Sequence, residues 1–173
     1  MSLAEKTKTV ITALTDLIDN CSEEELHFHP SADSWNILEC AEHIWLVNAT
    51  IYRFLQTPPP ALPHQNKESE LHSEGKMNHL LITKRDTKRT APQWVIPKGL
   101  FKTGEEAKQA VHKATSDIRS ILETTDISRE THTLAHPAIG EMTKTDWVHF
   151  LISHTQRHVF QMQEIKEKFH SVV

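Results

Sequence analysis

Apolar residues return at three- and four-residue steps along four long stretches of this chain, the signature of amphipathic helices that bury one face. The first helix is predicted from about Ala4 to Asn20, on the stripe Val10, Ile11, Leu14, Leu17 and Ile18. The period breaks over Cys21 to Asp33, and Asp33 or Ser34 is expected to cap the second helix. That helix runs from Trp35 to about Gln56 through Ile37, Leu38, Ala41, Ile44, Trp45, Val47, Ile51, Phe54 and Leu55, and Thr57-Pro58-Pro59-Pro60 stops it. The third starts at Thr103-Gly104-Glu105-Glu106, read as a capping box between Thr103 and Glu106, and continues to about Glu123 through Ala107, Ala110, Val111, Ala114, Ile118 and Ile121. The fourth and longest, from about Lys144 to His170, is capped by Thr143 or Thr145 and carries Trp147, Phe150, Leu151, Phe160, Met162 and Ile165.

Between the second and third helices lie about 45 residues, far more than a tight turn between antiparallel neighbours needs. So long a connection implies a crossover along a bundle or a functional cap, with a short helix over Lys67 to Thr83 bearing Leu71, Met77, Leu80 and Leu81. A further loop holds His132, His136-Pro137 and Gly140, and no stretch alternates as a strand would. The expectation is an all-α protein, a four-helix bundle in up-down-down-up order, forming one domain over residues 1–173.

Composition narrows the possible partners. With 173 residues, 38% of them hydrophobic, the chain can bury one core but is short for two. The net charge is −4, and the basic cluster Lys84, Arg85, Lys88 and Arg89 is offset by Glu68, Glu70, Glu74 and Asp86, which argues against nucleic acid. No apolar run approaches the roughly 18 residues that span a bilayer, and the N-terminus lacks the apolar core of a signal peptide. No membrane partner and a cytoplasmic location are therefore expected. Cys21 and Cys40 are too few and too ill-placed for a disulfide framework, so both are read as reduced.

Thirteen histidines are many for this length. His64, His72, His79, His112 and His170 sit in polar surroundings and are read as solvent-facing, while His27 and His29 are read as loop residues. Three are different. His154 and His158 are four apart, so their rings leave one helix face a turn apart, on the stripe of Trp147, Leu151 and Ile165. His43 shares the stripe of Cys40, Val47 and Phe54. A buried neutral imidazole left without a partner costs on the order of 1–3 kcal/mol, and three together need a reason. A divalent cation supplies one, taking a lone pair from each ring while the other nitrogen donates outward.

The plainer alternatives are a core His43 bonded to Asn48 or to a carbonyl, and a histidine pair flanking a crevice without metal. Cys40 either packs or acts as a fourth ligand. Trp35, Trp45 and Trp147 are read as packing residues, and Glu42, Asp146, Gln156 and Gln161 as candidates for supporting or acid-base groups.

The stretch Phe28-His29-Pro30-Ser31-Ala32-Asp33-Ser34-Trp35-Asn36-Ile37-Leu38-Glu39-Cys40-Ala41-Glu42-His43-Ile44 resembles a signature of the DinB/YfiT-like family. His136-Pro137-Ala138-Ile139-Gly140-Glu141-Met142-Thr143, followed by Trp147 and His154-Thr155-Gln156-Arg157-His158, resembles that family's second block. The resemblance implies a four-helix bundle that binds nickel or zinc, with iron or manganese as further options, through His43, His154 and His158. It also implies a homodimer. Activities in the family are sparse and include metal-dependent hydrolases and transferases that use low-molecular-weight thiols.

The function expected from this reading is a metal-dependent enzyme in which the three histidines hold an ion that activates water or a small thiol against a small-molecule substrate. No other residue is given a catalytic role. The alternative is a metal- or small-ligand-binding bundle without turnover.

Overall fold

The computed structural model describes residues 1–58, 74–83 and 91–172. Its long helices are α1 (Leu3–Asp19), α3 (Ile37–Gln56), α5 (Gly104–Thr124) and α6 (Lys144–Val172). Two shorter ones join them: α2 (Glu23–His27), and α4 (Glu74–Asn78), which runs on as a wider π turn over His79–Thr83. The second half of the short helix expected over Lys67 to Thr83 is thus present. Its first half, Pro59, Pro60, His64, His72 and the basic cluster at 84–89 lie outside the described residues.

The helices start by one chemical device, an oxygen or amide side chain followed three residues on by an acid. Ser2 with Glu5, Ser22 with Glu25 and Asn36 with Glu39 form reciprocal capping boxes. Asn36, rather than Asp33 or Ser34, caps the second long helix, because Ser34 is already used in a turn with Ser31. Thr103 accepts from the Glu106 amide as expected, but the Glu106 carboxylate takes the Lys102 amide, one residue before the cap. At α6 the cap is Thr143, whose hydroxyl accepts from the Asp146 amide while the Asp146 carboxylate accepts from the Thr143 amide.

The bundle order follows from which ends meet. Helix α1 packs on α5 and α6, and α3 packs on the same two. Gly104, at the start of α5, lies against Ile18 at the end of α1, so these two run antiparallel. Trp45 of α3 meets Phe101 just before α5 with ring centres 5.8 Å apart, so α3 and α5 start at the same end. Lys144 of α6 donates to the Thr57 carbonyl after α3 at 2.8 Å, which sets α6 antiparallel to α3. The order is up-down-down-up, with the long second connection joining two parallel helices. No helix among the described residues is long and apolar enough to cross a membrane.

Leu14, Ile44, Ile51, Val111, Ile118, Leu151 and Met162 are fully buried where the four stripes meet. Each such side chain contributes about 1.5–3 kcal/mol of apolar burial. The packing is closest at Gly104, where an added Cβ would lie 2.9 Å from Ile18 Cγ2 and 3.2 Å from Leu26 Cδ1. Gly104→Ala is therefore expected to lower stability by about 1–3 kcal/mol, read as a shift of the urea midpoint at unchanged slope. A midpoint equal to wild type would show that the α1–α2 corner yields freely.

A further expectation is corrected. The loop before α6 contains an antiparallel hairpin, β1 (Thr133–His136) with β2 (Gly140–Thr143), in which His136 pairs with Gly140 and Thr133 with Thr143. The strands are four residues each, and β1 buries neither face in alternation, so no period of two is written into them. Gly140 has φ of 95°, a left-handed conformation that suits glycine at the hairpin turn. The Trp147 indole donates to the Leu134 carbonyl at 3.1 Å and fastens the hairpin to α6.

Candidate metal centre

Helices α3 and α6 bring the three predicted histidines together. His43 lies in the first half of α3, and His154 and His158 lie one turn apart near the middle of α6. All three are buried. Their Nε2 atoms converge: His43 Nε2 is 3.1 Å and His158 Nε2 is 3.2 Å from His154 Nε2. Among the described residues, this trio is the group of possible ligand side chains whose donor atoms lie within 4.8 Å of one another.

The rings are held from behind. His43 Nδ1–H donates to the Val95 carbonyl at 2.7 Å, and a carbonyl can only accept, so the Nε2 of His43 presents a lone pair. His158 Nδ1–H donates to Gln161 Oε1 at 2.9 Å, which leaves its Nε2 in the same state. Trp35 lies over both rings, with centres 4.9 Å from His43 and 6.3 Å from His158. Phe150, one turn before His154, stacks on it at 4.9 Å and 21°.

His154 does not fit this arrangement without a further group. Its Nδ1 is buried with no partner. With the proton on Nδ1, three lone pairs face one another. With it on Nε2, one proton serves two acceptors and an empty Nδ1 stays buried. Both tautomers leave a surplus of lone pairs in an apolar site, at a cost on the order of 1–3 kcal/mol. A cation removes the surplus. An ion held at about 2.0–2.1 Å from each nitrogen spaces them roughly 3.0–3.4 Å apart, and the two short separations here lie in that range.

Electrostatics keep the ligands neutral. Burial pushes the His43 imidazole below its ordinary range, opposed by the Val95 hydrogen bond. Burial, reinforced by the neighbouring imidazoles, holds His154 and His158 well below that range.

A model of the DinB superfamily matches residues 6–162. The chain belongs to the DinB superfamily. It is 27% identical over 147 residues to Bacillus subtilis (strain 168) YuaE, a protein described as uncharacterized, covering 85% of this chain and 86% of the relative. It also shares its fold with the crystal structure of TT2238, a four-helix bundle protein, at a TM-score of 0.60 and 17% identity, over 94% of this chain and 96% of the other.

Within this DinB-superfamily bundle the other candidates take definite places. Asn48 donates to Thr115 Oγ1 at 3.4 Å rather than to His43. Cys40 is fully buried outside the trio, and burial pushes its thiol far up. Asp146 caps α6. Of the supporting residues suggested by sequence, Gln161 reaches the cluster, three residues beyond His158. Glu42 accepts the backbone N–H groups of Lys98 at 2.7 Å and Leu100 at 2.9 Å. Val95 had no sequence signal, because its contribution is a backbone carbonyl. His79, His112 and His170 are exposed, as expected; His27 and His29 are exposed too, but His27 closes helix α2 instead of lying in a loop, because Ser22 and Glu25 cap a short helix there.

Proposed function

We propose that the protein is a metal-dependent enzyme whose single divalent ion, nickel or zinc, is held by His43, His154 and His158. The approach of the His43 and His158 Nε2 atoms to 3.1 and 3.2 Å from His154 Nε2, with two of the rings hydrogen-bonded through Nδ1, supports the reading most directly. Three neutral nitrogens leave the charge of the ion undiminished, and closed structural sites use four protein ligands. Cys40, the one fourth ligand the sequence offered, lies outside the trio, which favours an open and reactive site over a structural staple. When bound, such an ion supplies Lewis acidity that makes water or a small thiol a competent nucleophile near neutral pH.

The protein's own groups do the rest. Val95 and Gln161 fix two of the tautomers, and Trp35 and Phe150 wall the rings and limit access of bulk water. The substrate is proposed to be a small electrophile, attacked by water in a hydrolase or by a low-molecular-weight thiol in a transferase.

Elemental analysis of untagged protein is expected to find about one ion per chain, lost on dialysis of His154→Ala. The loaded protein, and not His154→Ala, is then expected to turn over a member of a panel of esters, amides and thiol-plus-electrophile pairs. Metal that persists when all three histidines are replaced would overturn the site. A fully loaded protein inert to the whole panel would favour binding without turnover.

A further inference from the structure

Two adjacent residues of α3 grip the same stretch of the crossover. His43 holds it at the Val95 carbonyl, and Glu42 holds it at the Lys98 and Leu100 amides. Glu42 is 1% exposed, it is not among the three clustered ligand side chains, and both its oxygens are occupied by backbone donors. Gly99 makes this possible. Its φ of 70° turns the chain so that the N–H groups on either side of it face one carboxylate, a backbone nest around an anion. The segment between the two grips is short and contains Pro97, which restricts how far the position of Val95 can drift from that of the nest.

We propose that Glu42 is a positioning residue for the metal centre, acting through the Gly99 nest to hold the Val95 carbonyl against His43 Nδ1–H. The inference rests on the metal reading above. The partner of His43 is a main-chain atom, so no substitution at position 95 deletes it; Glu42 and Gly99 are where its placement is controlled. A group that orients a ligand imidazole in this way sets metal affinity, typically by about 10–100-fold. Linkage then requires the reverse effect, so that a bound ion stabilises the contacts of residues 95–100 with α3 by the same factor.

The test uses the full-length metal-free chain, titrated with zinc or nickel against a chromophoric chelator, and amide hydrogen exchange at Lys98 and Leu100. Glu42→Gln keeps the shape of the side chain but cannot accept both amides as a carboxylate does. Gly99→Ala strains the nest from the other side. Each is expected to weaken zinc binding by roughly tenfold and to speed exchange at both amides. In the wild type, loading with zinc is expected to slow that exchange. Ile118→Val, in the core on α5, serves as a control for stability and is expected to leave affinity unchanged.

Wild-type affinity in folded Glu42→Gln and Gly99→Ala, with binding still dependent on His154, would overturn the positioning role alone. Equal weakening by Ile118→Val would do the same, by tracing the loss to general stability. A wild-type chain that binds neither ion would overturn the metal reading and this inference together.

Discussion

Metal-free protein is expected to lose stability steeply as the pH falls from about 6.5 toward about 5, by up to about 4 kcal/mol per pH unit at the steepest point. The cause is the burial of His43, His154 and His158, which holds all three pKa values below the ordinary histidine value of 6.5. In the unfolded chain each ring takes up a proton as the pH passes below that value. In the folded chain it does not until a lower pH is reached. The unfolded state therefore binds more protons across this window, so stability is fully present above 6.5 and is lost as pH falls toward the folded values. Each ring contributes at most about 1.4 kcal/mol per pH unit to the slope. His132 and His149 are shifted down as well, mainly by burial, and add a smaller part. The Glu25 carboxylate is held below its usual value of 4.5, so its contribution is lost in a separate and more acidic range.

Urea midpoints measured at a series of pH values check this. His154→Gln is expected to remove about one third of the trio's share of the slope. Loading with zinc is expected to raise the whole curve, by about 4 kcal/mol at a thousandfold excess over the dissociation constant, because the ion binds only the folded chain. A profile that stays flat from about pH 7 to about pH 5 would mean that the imidazoles are hydrated and titrate normally.

The sequence disclosed the imidazole trio because two periodic stripes were interrupted by polar rings, and periodicity is a local property. The same holds for the caps at Thr103 and Thr143, where a hydroxyl stands three residues before an acid. What it did not disclose depends on the tertiary path of the main chain. The acceptor for His43 is the Val95 carbonyl, 52 residues away and identical chemically to every other carbonyl. Glu42 was visible as an acid beside a ligand, but its role is set by where Gly99 brings two amides. The hairpin was invisible because its short strands bury residues without alternation, held instead by Trp147. The cap at Asn36 was misplaced to Asp33 or Ser34 because all three residues are competent, and the turn from Ser31 to Ser34 decides among them.

Glu130→Ala is expected to cost about 3 kcal/mol, although it lies far from the imidazoles. The Lys144 side chain is 3% exposed, and its ammonium lies 2.6 Å from a Glu130 carboxylate oxygen and donates to the Thr57 carbonyl at 2.8 Å. The carboxylate contact is close but poorly angled for a hydrogen bond, so its value is chiefly ionic. Removing Glu130 leaves a buried ammonium with one neutral acceptor, and an uncompensated buried charge is costlier than either an intact pair or an apolar replacement. For a chain of this size the loss corresponds to a fall in melting temperature of about 10 °C. Glu130→Ala combined with Lys144→Met is expected to recover most of it, since no charge is then stranded. Through the Thr57 carbonyl Lys144 also joins the end of α3 to the start of α6, the two helices that carry the imidazoles. Zinc affinity is therefore expected to fall in the double variant, which lacks the Thr57 contact, even though stability returns. A loss below about 0.5 kcal/mol would show that the ammonium reaches water.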